Sequence, residues 1–340
     1  VKNKNRTELI KKLEKLQAND PNDFEALALE VFAYQKENNP VYRKFLDLLG
    51  KQTKSVQTLQ DIPFLPIELF KSQTIKTGKW KEEAVFTSSG TTGSTPSRHF
   101  IRSLDFYLKQ TKRCFEYFYG PIEDLAVLAL LPSYLERPGS SLVYMARHFI
   151  GLSRQEESGF YLYDYAGLRQ TLQDLQKKQT RVLLLGVTFA LLEFAERQTL
   201  PLQEEQFILM ETGGMKGRGP EFTRSEVHDK LQKAFGLRQI HSEYGMTELL
   251  SQAYSQGQGL FRPGPGMRIR IRDLRDPFAE RQTGHSGGID IIDLANIDSC
   301  SFIATQDIGR MQTDGTFEVL GRSDNSEMRG CNLLVENQWT

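Results

Sequence analysis

Residues Thr87 to Gly93 read Thr-Ser-Ser-Gly-Thr-Thr-Gly, five hydroxyls and two glycines in seven positions. An apolar run, Ala84-Val85-Phe86, leads into them with the composition of a strand. Glycines let a backbone approach a ligand closely, and successive N–H groups together with hydroxyls form a concave anion site. The same composition also suits a plain surface loop, so the segment alone leaves both readings open. Three further segments follow in order: Tyr244-Gly245-Met246-Thr247-Glu248, Thr305-Gln306-Asp307, and Gly321-Arg322-Ser323-Asp324 running on to Arg329-Gly330. Taken singly each has an ordinary reading. Glu248 could be an exposed acid at a capped helix start, Asp307 the end of a strand, and Arg322 a turn arginine.

Together, in this order and at this spacing, the four segments resemble the adenylate-forming superfamily, which activates carboxylic acids as acyl-AMP. The resemblance implies that Thr87, Ser88, Ser89, Gly90, Thr91, Thr92 and Gly93 cradle the phosphates of ATP. It further implies that Glu248 holds Mg²⁺, that Thr247 lies near the phosphates and that Tyr244-Gly245 belong to the nucleotide site. Asp307 would bind the ribose hydroxyls and Arg322 the ribose or a phosphate. Gly213-Gly214, just after a strand-like run ending at Glu211, resemble the superfamily's glycine-bearing adenine-side loop, although an ordinary strand-to-helix turn reads the same way. Forming acyl-AMP brings two anions together and requires donors and a cation for the leaving pyrophosphate. A single carboxylate can suffice for Mg²⁺, because phosphate oxygens supply other ligands.

The sequence departs from the superfamily pattern in three places. The usual phosphate loop continues with Pro-Lys or Pro-Thr, whereas here it runs Ser94-Thr95-Pro96-Ser97-Arg98; Arg98 could take the cation's place, but arginine and lysine differ in geometry. Thr-Gly-Asp has become Thr305-Gln306-Asp307. The sequence also stops at Thr340, where the typical member continues into a small mobile domain carrying a catalytic lysine; the expectation is that this domain is truncated. In length and motif order the chain is similar to the LuxE-like acyl-protein synthetase family, whose members accept a fatty acyl group on a cysteine near the carboxyl terminus before a reductase takes it. That resemblance points to Cys331, in Met328-Arg329-Gly330-Cys331-Asn332-Leu333-Leu334-Val335. Arg329 could lower its thiol pKa and favour thiolate attack. The plain alternative for Cys331 is a small apolar residue at the start of a strand.

Bulk properties set the frame. Lys+Arg and Asp+Glu are 43 each, a net charge of zero, so no basic field exists for nucleic acid or a membrane surface. The amino terminus has no signal-peptide pattern, and the longest apolar region, 182–194, is too short to span a bilayer. Cys114, Cys300 and Cys331 have neither metal-ligand nor disulfide spacing. A cytoplasmic setting without an integral membrane segment is the expectation.

These segments need a scaffold. Leu9, Ile10, Leu13 and Leu16 repeat at helical spacing behind a possible N-cap, Thr7; a second helix follows Pro21-Asn22-Asp23 and stops at Asn39-Pro40; a third runs to Gly50. Residues 62–71 form a proline-bearing ordered connector. From 84 to about 255, apolar runs at 84–87, 126–131, 181–186, 207–211 and 238–243 alternate with helical patterns, including 140–150, 187–196 and 221–234. Such alternation predicts an α/β fold with a mostly parallel sheet, which binds ligands at the carboxyl ends of its strands. Residues 257–266 are too rich in glycine and proline to hold an element. Beyond them 267–272, 288–294 and 316–320 alternate with period two, as in a small antiparallel β subdomain. The expected division is 1–256, a helical region plus the nucleotide-binding core, and 257–340, a β-rich subdomain ending in a hinge-like segment.

Gly284-His285-Ser286-Gly287-Gly288 fits the nucleophile-elbow pattern of serine hydrolases. It lacks a preceding strand and following helix, and reads better as a glycine turn before a strand. The five histidines show no metal spacing and no evident acid partner; most read as surface or packing residues. Aromatic and apolar residues such as Tyr134-Leu135, Tyr144-Met145, 160–163 and Phe189 could line an acyl pocket or simply fill the core. The reading is an ATP- and Mg²⁺-dependent ligase that activates a fatty or other apolar carboxylic acid and passes the acyl group to a thiol, Cys331, for a partner acyl reductase or acyl-carrier protein. The alternatives are a coenzyme-A ligase of the phenylacetate type and a non-catalytic nucleotide-binding relative.

Overall fold

A computed structural model describes residues 5–16, 21–50, 56–88, 95–132, 139–215, 220, 222–276 and 278–323. Ser89, Gly90, Thr91, Thr92 and Gly93 of the phosphate loop, the Tyr134-Leu135 pair and Cys331 lie outside the described residues. In chain order the elements are α1 (Arg6–Lys15), α2 (Pro21–Asn38), α3 (Pro40–Leu49), β1 (Leu65–Pro66), α4 (Leu69–Ser72), β2 (Ala84–Thr87), β3 (Arg98–Ile101), α5 (Leu104–Tyr119), β4 (Ala126–Leu130), α6 (Ser141–Leu152), β5 (Gly159–Phe160) and α7 (Tyr165–Lys177). They continue with β6 (Val182–Val187), α8 (Thr188–Arg197), β7 (Phe207–Thr212), α9 (Arg224–Phe235), β8 (His241–Tyr244), β9 (Ala253–Ser255), β10 (Phe261–Pro263), β11 (Met267–Arg272), β12 (Ser286–Asp293), β13 (Phe302–Met311) and β14 (Phe317–Arg322).

The described residues of Glu83–Pro96 and Ser103–Gly264 form an α/β unit. Its sheet runs β10-β9-β8-β7-β6-β4-β5, parallel from β8 to β5 and antiparallel at β8-β9-β10. Every residue of β4 and β6 is buried, as expected of central parallel strands covered on both faces. Local chemistry sets the helix ends: Ser103, Ser140, Asp164 and Thr223 each accept a backbone N–H as N-caps, and Thr223 with Glu226 closes a capping box. The segment 257–266 does hold an element after all. Phe261, Arg262 and Pro263 pair with Ser255, Tyr254 and Ala253, and Phe261 is fully buried. Three residues between glycines are too few to show a period, so this strand was not readable.

The second unit combines the described residues of Val1–Glu82, Ser97–Arg102 and Pro265–Thr340. Strands β11-β12-β13-β14 form an antiparallel sheet, to which β1 adds a short parallel pairing, Leu65 opposite Ile303 and Pro66 opposite Ala304. The grouping differs from the linear one expected at 256/257. The change of unit falls at 264/265, and α1 to α3 pack with the β-rich segment. Phe32 and Tyr42 close on the Phe302 ring at 6.1 and 6.2 Å. Buried Gln35 donates to the carbonyls of Asn296 and Ile297, and accepts from Ser301 N–H. The first helix is capped by Asn5, whose side chain accepts from Thr7 N–H, rather than by Thr7 itself.

Candidate active site

The α/β unit places its chemistry at the carboxyl ends of β7 and β8. These strands are parallel, with Glu211 opposite Ser242. Side chains alternate along strands, so Glu211 and Ser242 point to one face and Thr212 and Glu243 to the other. The second face opens on a cavity. Thr87, Ser88, Gly213, Gly245 and Thr247, all expected site residues, line it. They come from separate stretches of sequence, and the strand ends bring them to one place.

Local geometry explains how each is held. Thr87 N–H donates to Gly139 O at 2.9 Å, anchoring the start of the hydroxyl loop. Gly213 and Gly214 have φ of 81° and 68°, the left-handed region that glycine adopts without strain. Gly214 N–H is engaged by Thr188 Oγ at 3.1 Å. Tyr244 is buried against Phe261, with ring centroids 5.8 Å apart. Glu248 is buried as well, and the chain from Gly245 onward is a turn rather than a helix start.

Three expected residues belong to the β-rich unit. Asp307 on β13 is buried and stands opposite Arg322 on β14, with Arg322 Nε 3.4 Å from Asp307 Oδ1. The Asp307 N–H donates to Thr305 Oγ at 3.1 Å, in the middle of β13 rather than at its end. Arg98 is the exposed first residue of β3, and its guanidinium lies 5.7 Å from the Phe100 ring centroid.

Two carboxylates at the strand ends were not singled out by sequence reasoning. Glu211 is buried and sits in a network: Thr188 Oγ–H donates to its Oε2 at 2.8 Å, Arg224 Nε lies 3.4 Å from its Oε1 and His228 Nε2 3.8 Å from the same oxygen. Burial alone would raise its pKa, but the bonds from His228, Ser242 and Thr188 and the charge of Arg224 outweigh it and hold the carboxyl at about 2. The network touches the site twice. Thr188 bridges Glu211 to the Gly213-Gly214 turn, and Arg224 stacks on Phe261 at 4.8 Å, the ring that supports Tyr244.

Glu243 has a different fate. It lines the cavity, and its Oε2 accepts one hydrogen bond, from Thr212 Oγ at 2.5 Å. Burial pushes its carboxyl up to about 7, helped by the neighbouring charge of Glu211 and opposed by the Thr212 bond. The available signal was an acid at the next-to-last position of each of two consecutive strands, β7 and β8.

The histidine reading changes in one respect, because His228 does have an acid partner in Glu211. His241 meets Tyr119 Oη at 3.2 Å and His99 meets Ser299 Oγ at 2.9 Å, both packing roles. Cys114 and Cys300 are buried, and burial pushes the Cys300 thiol up to about 12, consistent with packing. Ser286 opens β12 and no helix follows it, so the apparent nucleophile elbow is a turn before a strand. Among the described residues no group of three or more His, Cys, Asp or Glu could hold a metal ion by itself, and no helix is long and apolar enough to cross a membrane.

No protein-family model matches the chain. It is 22% identical over 338 residues to the long-chain-fatty-acid–luciferin-component ligase of Vibrio harveyi, covering 91% of this chain and 86% of that one. Among solved structures it resembles a 2-hydroxyisobutyryl-CoA ligase in complex with its acyl-AMP and CoA, with a TM-score of 0.64 and 13% identity over 91% of this chain and 70% of the other. It also resembles ATP-bound MatB from Rhodopseudomonas palustris, with a TM-score of 0.52 and 16% identity over 70% of this chain. The matched region spans about half of MatB, 48% of its length. At such identities the structural likeness establishes the fold, that of the adenylate-forming ligases. The sequence similarity agrees with the LuxE-like resemblance carried by the motifs.

Proposed function

We propose that this chain activates a carboxylic acid with ATP, forming acyl-AMP and pyrophosphate, and then passes the acyl group to a thiol. The observation that carries the reading is the convergence of Thr87, Ser88, Gly213, Gly245 and Thr247 on one cavity at the strand ends. Hydroxyls, positive-φ glycines and a side-chain-free Gly245 make a concave surface that a phosphate or a flat base can approach closely. ATP supplies an electrophilic α-phosphorus and a leaving pyrophosphate; Glu248 would hold Mg²⁺, which would offset the charge on the phosphate oxygens. Thr87, Ser88 and Thr247 orient the phosphates through their hydroxyls, while the Gly213-Gly214 turn, fixed through Thr188, borders the nucleotide. The proposed roles of Asp307, for the ribose hydroxyls, and of Arg322 and Arg98, as cations for the nucleotide, rest on the motif resemblance alone.

The acid is a fatty or other largely apolar one; Leu142, Met145 and Met246 give the cavity apolar wall. The first step forms a bond between the carboxylate oxygen and the α-phosphorus and breaks the bond to pyrophosphate. In the second, a thiolate attacks the acyl carbon and AMP leaves. Cys331 is the proposed thiol, for hand-over to an acyl reductase or carrier protein, supported by the similarity to the Vibrio harveyi ligase. The likeness to a CoA ligase favours a second reading, in which coenzyme A is the acceptor.

Acid-dependent ATP–pyrophosphate exchange tests activation, and its absence with every acid would remove the proposal. Intact-protein mass after incubation with Mg-ATP and acid tests the acceptor. The expected result is an acyl-sized increase on the wild type that is missing from Cys331→Ser. An unchanged mass with acyl-CoA formed on addition of coenzyme A would replace Cys331 by the external thiol.

A further inference from the structure

Thr188, the first residue of α8, is 3% exposed, and its hydroxyl serves the neighbouring strand end. Strands β6 and β7 run parallel with Val187 opposite Thr212, so the residue after β6 stands beside the turn after β7. Thr188 Oγ lies 2.8 Å from Glu211 Oε2, 3.2 Å from Thr212 O and 3.1 Å from Gly214 N. A carboxylate can only accept and a backbone N–H can only donate. The single hydroxyl proton therefore goes to Glu211, the nearer and charged acceptor, and a lone pair is left to receive the Gly214 N–H. The turn so held is one that needs holding. Gly213 and Gly214 are exposed, both at positive φ (81° and 68°), and glycine loses more conformational freedom on ordering than any other residue. Gly213 lines the cavity, while Glu211 points to the other face of the sheet.

We propose that Thr188 is a positioning residue for the nucleotide: Glu211 sets the direction of its hydroxyl, and the hydroxyl pre-forms the Gly213-Gly214 turn against which the base rests. This inference rests on the nucleotide reading of the cavity and adds the route by which a carboxylate outside the cavity acts on the ligand. A turn already in its bound form spares ATP the cost of ordering it. Thr188→Val keeps the shape and removes the hydroxyl; Thr188→Ser keeps the hydroxyl. Glu211→Gln replaces a pure acceptor by an amide that can also donate, so the hydroxyl loses its fixed direction.

The test is calorimetric binding of Mg-ATP and of magnesium pyrophosphate, the second probe carrying phosphates without a base. Thr188→Val should weaken Mg-ATP about three- to tenfold, the worth of one hydrogen bond, and leave pyrophosphate unchanged. Thr188→Ser should restore most of the loss. Glu211→Gln should weaken Mg-ATP in the wild-type background and add nothing in the Thr188→Val background, because both act through the same bond. Thr188→Ala serves as a second hydroxyl-free variant, and unfolding midpoints confirm that each protein is folded. Unchanged ATP affinity in both hydroxyl-free variants, an equal loss for ATP and pyrophosphate, or full addition of the Glu211→Gln effect to that of Thr188→Val would each overturn the inference while leaving the nucleotide reading in place. A wild type that binds no Mg-ATP would overturn the nucleotide reading, and the inference with it.

Discussion

Two carboxylates, Asp290 in the β-rich unit and Glu243 in the α/β unit, are held in opposite ways. In the β-rich unit Asp290 is completely buried between Arg270 Nη2 at 2.8 Å and Arg272 Nη1 at 2.7 Å. Burial raises its pKa and both arginines oppose that. Arg270 also stacks on Phe64 at 4.4 Å, and Arg272 continues to Thr305 O. In the α/β unit Glu211 is comparably saturated, yet among the described residues Glu243 on the adjacent strand has a single hydroxyl donor and no ion-pair partner. The contrast separates scaffold from site. Asp290 and Glu211, which hold the fold, are engaged through both carboxylate oxygens, while the cavity-facing Glu243 has one hydroxyl donor among the described residues.

The sharpest way to break that contrast is Asp290→Ala, which leaves two partly buried guanidiniums facing each other. A loss on the order of 3 kcal/mol is expected in urea unfolding; a loss below about 1 kcal/mol would show that the pairing is not structural. Next comes Glu211→Gln, with an expected loss of roughly 2 kcal/mol near neutral pH. Its pH signature is directional. A carboxyl depressed to about 2 contributes stability that is complete above its ordinary 4.5 and is lost as pH falls towards 2, so the variant should show a flatter acid limb than the wild type.

Glu243→Gln should have the opposite sign. A carboxyl raised to about 7 keeps its proton in the folded chain between 4.5 and 7, where the unfolded chain has released it. Wild-type stability therefore falls as pH rises through that window, and the variant should be more stable at pH 8 by on the order of 1 kcal/mol. Equal stability of the two at pH 8 would mean that Glu243 is not held near neutrality. The smallest effect belongs to the exposed Lys12–Glu30 pair, where Lys12→Met should shift unfolding by less than about 0.5 kcal/mol.

Much of the α/β unit was readable in advance. Runs such as Val182–Val187 are apolar throughout and flanked by amphipathic helices, a pattern that specifies buried parallel strands. Thr87, Ser88, Gly213, Gly245 and Thr247 were legible because each ends a strand or follows one within three residues. Glu211 and Glu243 were not. An isolated acid has no period, and its role depends on which strand lies beside it, as in the pairing of Glu211 with Ser242. The grouping of α1 to α3 with the β-rich segment escaped for the same reason: Gln35 finds Asn296 across 261 positions, and nothing local marks the partner.

That long reach constrains how the molecule is made on the ribosome. Helices α1 to α3 emerge early, yet the backbone that Gln35 grips at 296–301 and the Phe302 ring that receives Phe32 and Tyr42 are among the later residues translated. At about 5–20 residues per second the wait is roughly 10 to 50 s. The α/β unit can close upon itself during this interval, since its two stretches end at Gly264. Phe24, Val31, Phe32 and Leu46, all buried in the finished protein, have no finished partner surface until the last strands arrive. The nascent chain thus carries an apolar face while the residues between α3 and β13 are made, a natural client for a chaperone that binds exposed hydrophobic segments.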